Sequence, residues 1–361
     1  METKTRYIII GGWLVILSII LLNLTSAQEN VVEKTLKKYA VKASTQLNIE
    51  AKYSHIDVRD WNKNEIQVEA TITLFNISKQ KGEQILDEIS IDFWQEGDVI
   101  HVATNFEESF FKSFGWNHNE DDFKIEIVVM MPSDVKVDIE NKYGSLFVNK
   151  LTSQSVLRVK YGSLKINELL AKGKGEMAEV DLGYSKGSIE NCKWLKVNIK
   201  YSKIDIENSK ALIVVSKYSK VNIDEASSIV CESKYDTYVT GNATNFVCEA
   251  GYSNFKFDKI RKKIHLETKY TDVKADYIPP TFESISIDNS YGSISLYIDP
   301  EASYRLNGYA KYAKIHYPDN ARVNRVQENN ELTVKGTIGG EKGELPTVKI
   351  ETKYGGIKLS R

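Results

Sequence analysis

A tyrosine returns along this chain at a nearly fixed interval. The unit reads Lys-Tyr-small-x-apolar-x-apolar, first as Lys52-Tyr53-Ser54-His55-Ile56-Asp57-Val58. It recurs at Tyr143, Tyr161, Tyr184, Tyr201, Tyr218, Tyr235, Tyr252, Tyr270, Tyr291, Tyr312 and Tyr354, with steps from Tyr143 of 18, 23, 17, 17, 17, 17, 18, 21, 21 and 42 residues. The last step is twice 21, which predicts one degenerate copy without its tyrosine. A unit this short cannot bury an apolar face alone, so copies must stack to make a continuous core.

Each copy reads as strand, corner, strand. In Leu195-Lys-Val197-Asn-Ile199-Lys-Tyr201 apolar and polar residues alternate, the period of a half-buried strand. After Tyr201, Ser202 and Lys203 shift the phase by one, and Ile204 and Ile206 become the apolar positions. The residue after Tyr is Ser, Gly, Thr, Asp or Ala in every copy, as a tight corner requires. A looser polar turn, as at Glu207-Asn208-Ser209-Lys210, closes the coil. The prediction is an all-β chain: a single-stranded parallel β-solenoid of about 17–21-residue coils over residues 133–361.

Period two places columns. It puts the tyrosines in phase with the inward Val and Ile, so they are expected to stack as an internal ladder. Two residues earlier the inward position is often small (Ala51, Ser216, Ser233, Ala250, Thr268, Ala310, Thr352), which would leave room for the ring. Lys precedes Tyr in nine copies, and an acid column (Glu50, Glu140, Asp181, Glu232, Glu249, Glu267, Asp288, Glu351) lies two residues before it. Both point outward. A bare Lys column at rung spacing would repel by nearly 1 kcal/mol per pair in water, which the acids offset. That face serves either as a solvated, self-neutralising surface or as a regular surface for an envelope polymer. Cys231 and Cys248 fall in one inward column, one rung apart. Rung spacing permits a disulfide there, in-register stacking disfavours its torsion, and two buried thiols are the alternative.

The ends differ from the repeat. Lys4 and Arg6 precede an apolar run from Tyr7 to Leu22, then Thr25-Ser26-Ala27. Residues 1–27 therefore read as a signal peptide cleaved before Gln28, with membrane contact only if the segment stays uncleaved. The run is shorter than the roughly 20 residues that span hydrocarbon. Export to the periplasm, cell surface or medium follows. Residues 28–132 read as a β-rich capping region with one short helix within 78–90, where Ile85, Leu86 and Ile89 have helical spacing. An aromatic, acidic connection over 105–123 carries Phe106, Phe110, Phe111, Phe114 and Trp116. It is either a contact loop for a partner or a plug packed on the core.

Chemistry is sparse. The net charge is -1, from 48 Lys+Arg and 49 Asp+Glu, so no basic field gathers nucleic acid. Five His lie in unrelated contexts, with no metal-ligand spacing, nucleophile elbow or phosphate loop. Asp57 and Asp205 share a repeat column, the arrangement a polysaccharide-cleaving β-helix would need, but the column otherwise gathers no acids. No catalytic residue, metal or cofactor is expected.

The Lys-Tyr-Gly-Ser-Leu and Lys-Tyr-Ser-Lys-Val units, the signal segment, and Gly336-Thr-Ile-Gly-Gly340 before Tyr354-Gly-Gly-Ile-Lys-Leu359 resemble a bacterial family. It is the exported putative-adhesin domain of unknown function, a β-solenoid; the Trp116 loop and the Met131-Pro132 strand end are similar too. The resemblance spans roughly residues 30–361. It implies an envelope location and a non-enzymatic role, and carries over no site residues; the repeat, the export signal and the missing site together point to an interaction or adhesion role, with an envelope glycan or protein as partner. A self-assembling scaffold stacking through open rod ends, and a polysaccharide-active enzyme, are the alternatives.

Overall fold

The computed structural model describes residues 5–9, 29–113, 122–171, 174–340 and 343–361. It is an all-β solenoid, and its parallel strands divide into two compact units, Met1–Leu164 and Lys165–Arg361.

In the first unit the coils do not stack in chain order. The strand Gln46–Lys52 lies between Val99–Phe106 and Lys136–Lys142, parallel to both, and Ser155–Lys160 follows on Lys136–Lys142. Beyond the corner, Ser54–Asp60 lies between Phe123–Met131 and Ser145–Leu151. The early Tyr53 copy is thus a full rung, held on both sides. Antiparallel strands close this end: Glu65–Ile77 pairs with Phe123–Met131 and Glu29–Ala40, and Ile89–Glu96 pairs with Val99–Phe106. Covering a strand edge in this way denies it to other chains. The expected helix forms at Lys79–Leu86 and buries Gly82, Ile85 and Leu86. A second, one-turn helix, Phe110–Ser113, was not expected. Of the predicted signal segment, Thr5–Ile9 pairs antiparallel with Glu29–Ala40, and residues 10–27 lie outside the described residues.

The second unit is the regular stack. Ala178–Gly183, Lys186–Lys200, Lys203–Lys217, Lys220–Lys234, Thr237–Gly251 and Asn254–Lys269 pair in parallel, each repeat position beside its equivalent. Val180, Val197, Val214, Cys231, Cys248 and Leu266 form one inward column, buried to 3% exposure or less. In it Cys231 and Cys248 are disulfide-bonded, with Cα atoms 4.6 Å apart.

Two expectations fail here. The polar turn at 207–210 does not interrupt the strand: pairing continues through Asn208 and Ser209, and Ser209 lies inward in a column with Cys192, Ala226 and Ala243. Small side chains let this second bend turn without breaking the ladder. The 42-residue step hides no degenerate copy. Thr347–Lys353 inserts between Ser284–Ser290 and Tyr304–Lys311, so the last tyrosine in the chain is next to last in the stack. The residues between build an antiparallel closure, in which Glu331–Ile338 pairs with both Tyr304–Lys311 and Ala321–Glu328.

Candidate functional site: the tyrosine corner and the charged rung face

The tyrosines do stack, but outside the core. All twelve repeat tyrosines adopt positive φ, between 52° and 61°. That left-handed conformation, costly for a residue with a Cβ, swings the side chain out of the alternation that the strand had set up. From Tyr143 to Tyr354 the rings are 39% to 54% exposed. The predicted internal ladder is therefore an external one. In the first unit Tyr53, Tyr143 and Tyr161 stack at 5.0 Å between centroids. In the second, Tyr184, Tyr201, Tyr218, Tyr235, Tyr252, Tyr270, Tyr291, Tyr354 and Tyr312 stack in that order at 4.6–5.0 Å. An internal ring has a neighbour on each face, so only edges and hydroxyls meet solvent. Between its end rings such a stripe offers no free aromatic face to a sugar ring. Its stacking, about 0.5–1.5 kcal/mol per pair, opposes the backbone cost.

The inward turn falls to the residue after Tyr. Ser54, Ser185, Ser202, Ser219, Asp236, Ser253 and Thr271 are buried, and a ladder of side-chain oxygens receives the backbone N–H of the preceding rung, as Ser202 N–H donates to Ser219 Oγ at 3.3 Å. Each Ser hydroxyl also donates to the carbonyl two residues back. In the small column two residues before Tyr, Ala51, Ser216, Ser233, Thr268, Ala310 and Thr352 are buried and Ala250 is half-buried; Ser216 and Ser233 partner this corner instead of leaving room for a ring. Asp236, a carboxylate in a column of hydroxyls, accepts from Ser219 N–H (2.7 Å), Lys234 N–H (2.8 Å), Ser216 Oγ (2.7 Å) and Ser233 Oγ (2.8 Å). Four donors meet the requirement of a buried carboxylate. Below it Tyr238 is wholly buried, and desolvation pushes its phenol far up.

The aromatic connection terminates the first unit's ladder. Phe106 and Phe111 lie 5.6 and 5.4 Å from Tyr53, taking the place a tyrosine would occupy in the coil 99–131. Phe110 is fully buried against Phe106, Phe111 and Phe123. Phe114 and Trp116 lie outside the described residues. Burial of Tyr53, and then neighbouring Tyr143, push its phenol up.

The outward face of the strands before each tyrosine carries the charge. In the second unit the register aligns Lys200, Lys217, Lys234, Gly251, Lys269, Ser290 and Lys353 as one column. Val215, Glu232, Glu249, Glu267, Asp288 and Glu351 align as another. Beyond it, Ile213, Val230 and Val247 form a third column; with Val215 they are 36% to 46% exposed. A shallow groove runs along the lysine and acid columns, lined by Lys217, Glu232, Lys234, Glu249, Glu267 and Lys269. In the first unit the same two positions are paired: Lys142 Nζ sits 2.6 Å from Glu140, and that hydrogen bond and charge hold the Glu140 carboxyl below its ordinary range. Among the described residues, Glu232, Glu249, Lys217, Lys234 and Lys269 have no ion pair within 4 Å. Lys217 and Lys234 instead lie over the rings of Tyr218 and Tyr235.

Asp57 and Asp205 do not come together in an acid cluster among the described residues. Asp57 is held by Arg59 in a bidentate pair. Asp205 is pushed up by burial, but hydrogen bonds from Lys203 and Asn222 outweigh this and its carboxyl falls below the usual range. Among the described residues no three His, Cys, Asp or Glu side chains gather as a metal site.

No family model and no curated protein matches the chain. Its structural neighbours include putative adhesins. A putative cell adhesion protein from Clostridium sporogenes is 10% identical, covering 91% of this chain and 99% of its own, at a TM-score of 0.21. A putative adhesin from Bacteroides fragilis is 11% identical over 90% of this chain and 96% of its own, at 0.28. A putative lipid binding protein from Parabacteroides distasonis is 10% identical over 91% and 97%, at 0.30. Among the described residues no helix is long and apolar enough to cross a membrane.

Proposed function

We propose that this chain is a non-enzymatic, exported envelope module that adheres to a partner through the rung face of its second unit. The observation that carries the reading is that face: exposed Val230 and Val247 beside Glu232, Glu249, Lys217, Lys234 and Lys269, which among the described residues have no ion pair. Surface valines clustered beside unpaired charge favour contact with another macromolecule over plain solvation. The Phe106–Phe111 connection supports a packing role, since Phe106 meets Tyr53 edge to face and Phe111 packs tilted against it. Among the described residues the carboxyls with a perturbed ionisation, such as Glu140, Asp205 and Glu331, are shifted down, whereas a glycosidase acid needs an upward shift. Antiparallel closures on both units speak against growth by rung stacking.

The test is retention of the purified protein on whole cells and on a panel of envelope glycans. A variant carrying Val230→Glu and Val247→Glu should lose saturable binding, while Phe111→Leu should keep it. Undiminished binding by the valine variant would remove this face from the account.

A further inference from the structure

We infer that the partner of the rung face is a second copy of this chain, docked side by side with its rungs running the same way; this rests on the interaction role proposed for that face. The columns are self-complementary. On each strand the acid and lysine positions are two residues apart, about 7 Å. A two-fold axis between them, parallel to the stacking direction, sets the acids of one copy opposite the lysines of the other. Glu232 then meets Lys234, and Glu267 meets Lys269, at matching rungs. At Gly251 the lysine column has a gap. The partner's Glu249 falls opposite that gap, between Lys234 and Lys269.

The same rotation carries Val230 and Val247, beyond the acid column, toward the partner's tyrosine edges, beyond the lysine column. The opposite orientation, with the axis along the strands, sets every column against its like, so charge selects the parallel pair. The contact is isologous, as closed dimers require. Seven rungs, from Tyr201 to Tyr354, by four columns give a footprint on the order of 700 Å². Stable interfaces bury about 800 Å² per partner. Both copies would point the same way, as neighbours exported to one surface do.

The experiment is sedimentation of the purified protein at micromolar concentration, in low and high salt, with two charge-reversed variants. One carries Lys217→Glu, Lys234→Glu and Lys269→Glu; the other carries Glu232→Lys, Glu249→Lys and Glu267→Lys. The wild type should be a dimer that dissociates as salt rises. Each variant alone should be monomeric, and an equimolar mixture should restore the dimer, which misfolded variants could not do. A monomeric wild type, a dimer that persists in either variant, or a mixture that stays monomeric overturns the inference. Binding to cells that lack this protein, by a wild type that stays monomeric, would sink the second-copy partner while leaving the adhesion reading standing.

Discussion

Four corners carry glycine after the tyrosine, and replacing one by the residue common at the other corners should be among the worst changes in the chain. At Gly292 an added Cβ would lie 2.0 Å from the Thr271 carbonyl oxygen and 2.6 Å from its carbon. These are backbone atoms that cannot step aside. Asn289 explains why the rungs come so close. Its buried amide donates to Thr271 O at 2.9 Å and to Gly292 O at 3.0 Å, clamping the two corners together, and its oxygen accepts from Thr268 Oγ1 at 2.9 Å. Beside Gly144 the amide of Asn141 likewise bridges two rungs, donating to Ser54 O at 2.8 Å and to Ser145 O at 3.1 Å.

Gly292→Ser should therefore cost about 3 kcal/mol, the upper part of the overpacking range. Asn289→Ala should cost about 2–3 kcal/mol, because the Thr271 and Gly292 carbonyls lose their buried amide donor. With the clamp gone the rungs can re-space, and the new hydroxyl can donate to the carbonyl of Ser290 as Ser219 does to Lys217 O. The double variant should then be less destabilised than the sum, by about 1–2 kcal/mol. Denaturant midpoints at constant slope, with amide exchange across 271–294, measure this. A neutral Gly292→Ser, or strictly additive costs, would refute the clamp.

Three further outcomes follow from the corner and the core. Tyr218→Gly should destabilise by roughly 1–2 kcal/mol through two lost stacks, and Tyr218→Ala by about 1 kcal/mol more, since it keeps the left-handed strain without the ring; thermal midpoints in the order wild type, Gly, Ala would agree, and Ala above Gly would not. Burial pushes the Cys192 thiol up to about 11, so a thiol reagent at pH 8 should label nothing in the native protein. After unfolding it should label one cysteine, and all three only with reductant; a native thiol signal contradicts this. Glu140 and Asp205 are held below their ordinary range, so their stabilisation is present above that range and lost as pH falls through it. The unfolding midpoint should fall between about pH 5 and pH 3, and replacing both by Gln and Asn should flatten that fall.

The repeat made the stack legible because the 17-residue period and the alternation are the same information: inward Val197, Val214 and Cys231 could be aligned without coordinates. The tyrosine face was misread for a local reason. Alternation presumes extended backbone at every residue, and one positive φ at the corner reverses the side chain. The restriction to small residues after Tyr was visible, but sequence could not tell a hydroxyl ladder from the Asn-clamped glycine corners. Asn141 and Asn289, each three residues before its Gly, were the available clue. Asp236 was the other, the one charged residue in its column. The order of rungs escaped because register between Tyr291, Tyr354 and Tyr312 depends on which edge is open when the closure folds, and no local pattern encodes that.

The central claim is that the rung face of the second unit is where this chain meets its partner. Retention on whole cells, some displaying this protein and some lacking it, should be compared for the wild type and for the Val230→Glu, Val247→Glu variant. The account predicts saturable retention of the wild type, lost in the variant while both remain equally folded. Equal retention of the two proteins would contradict it.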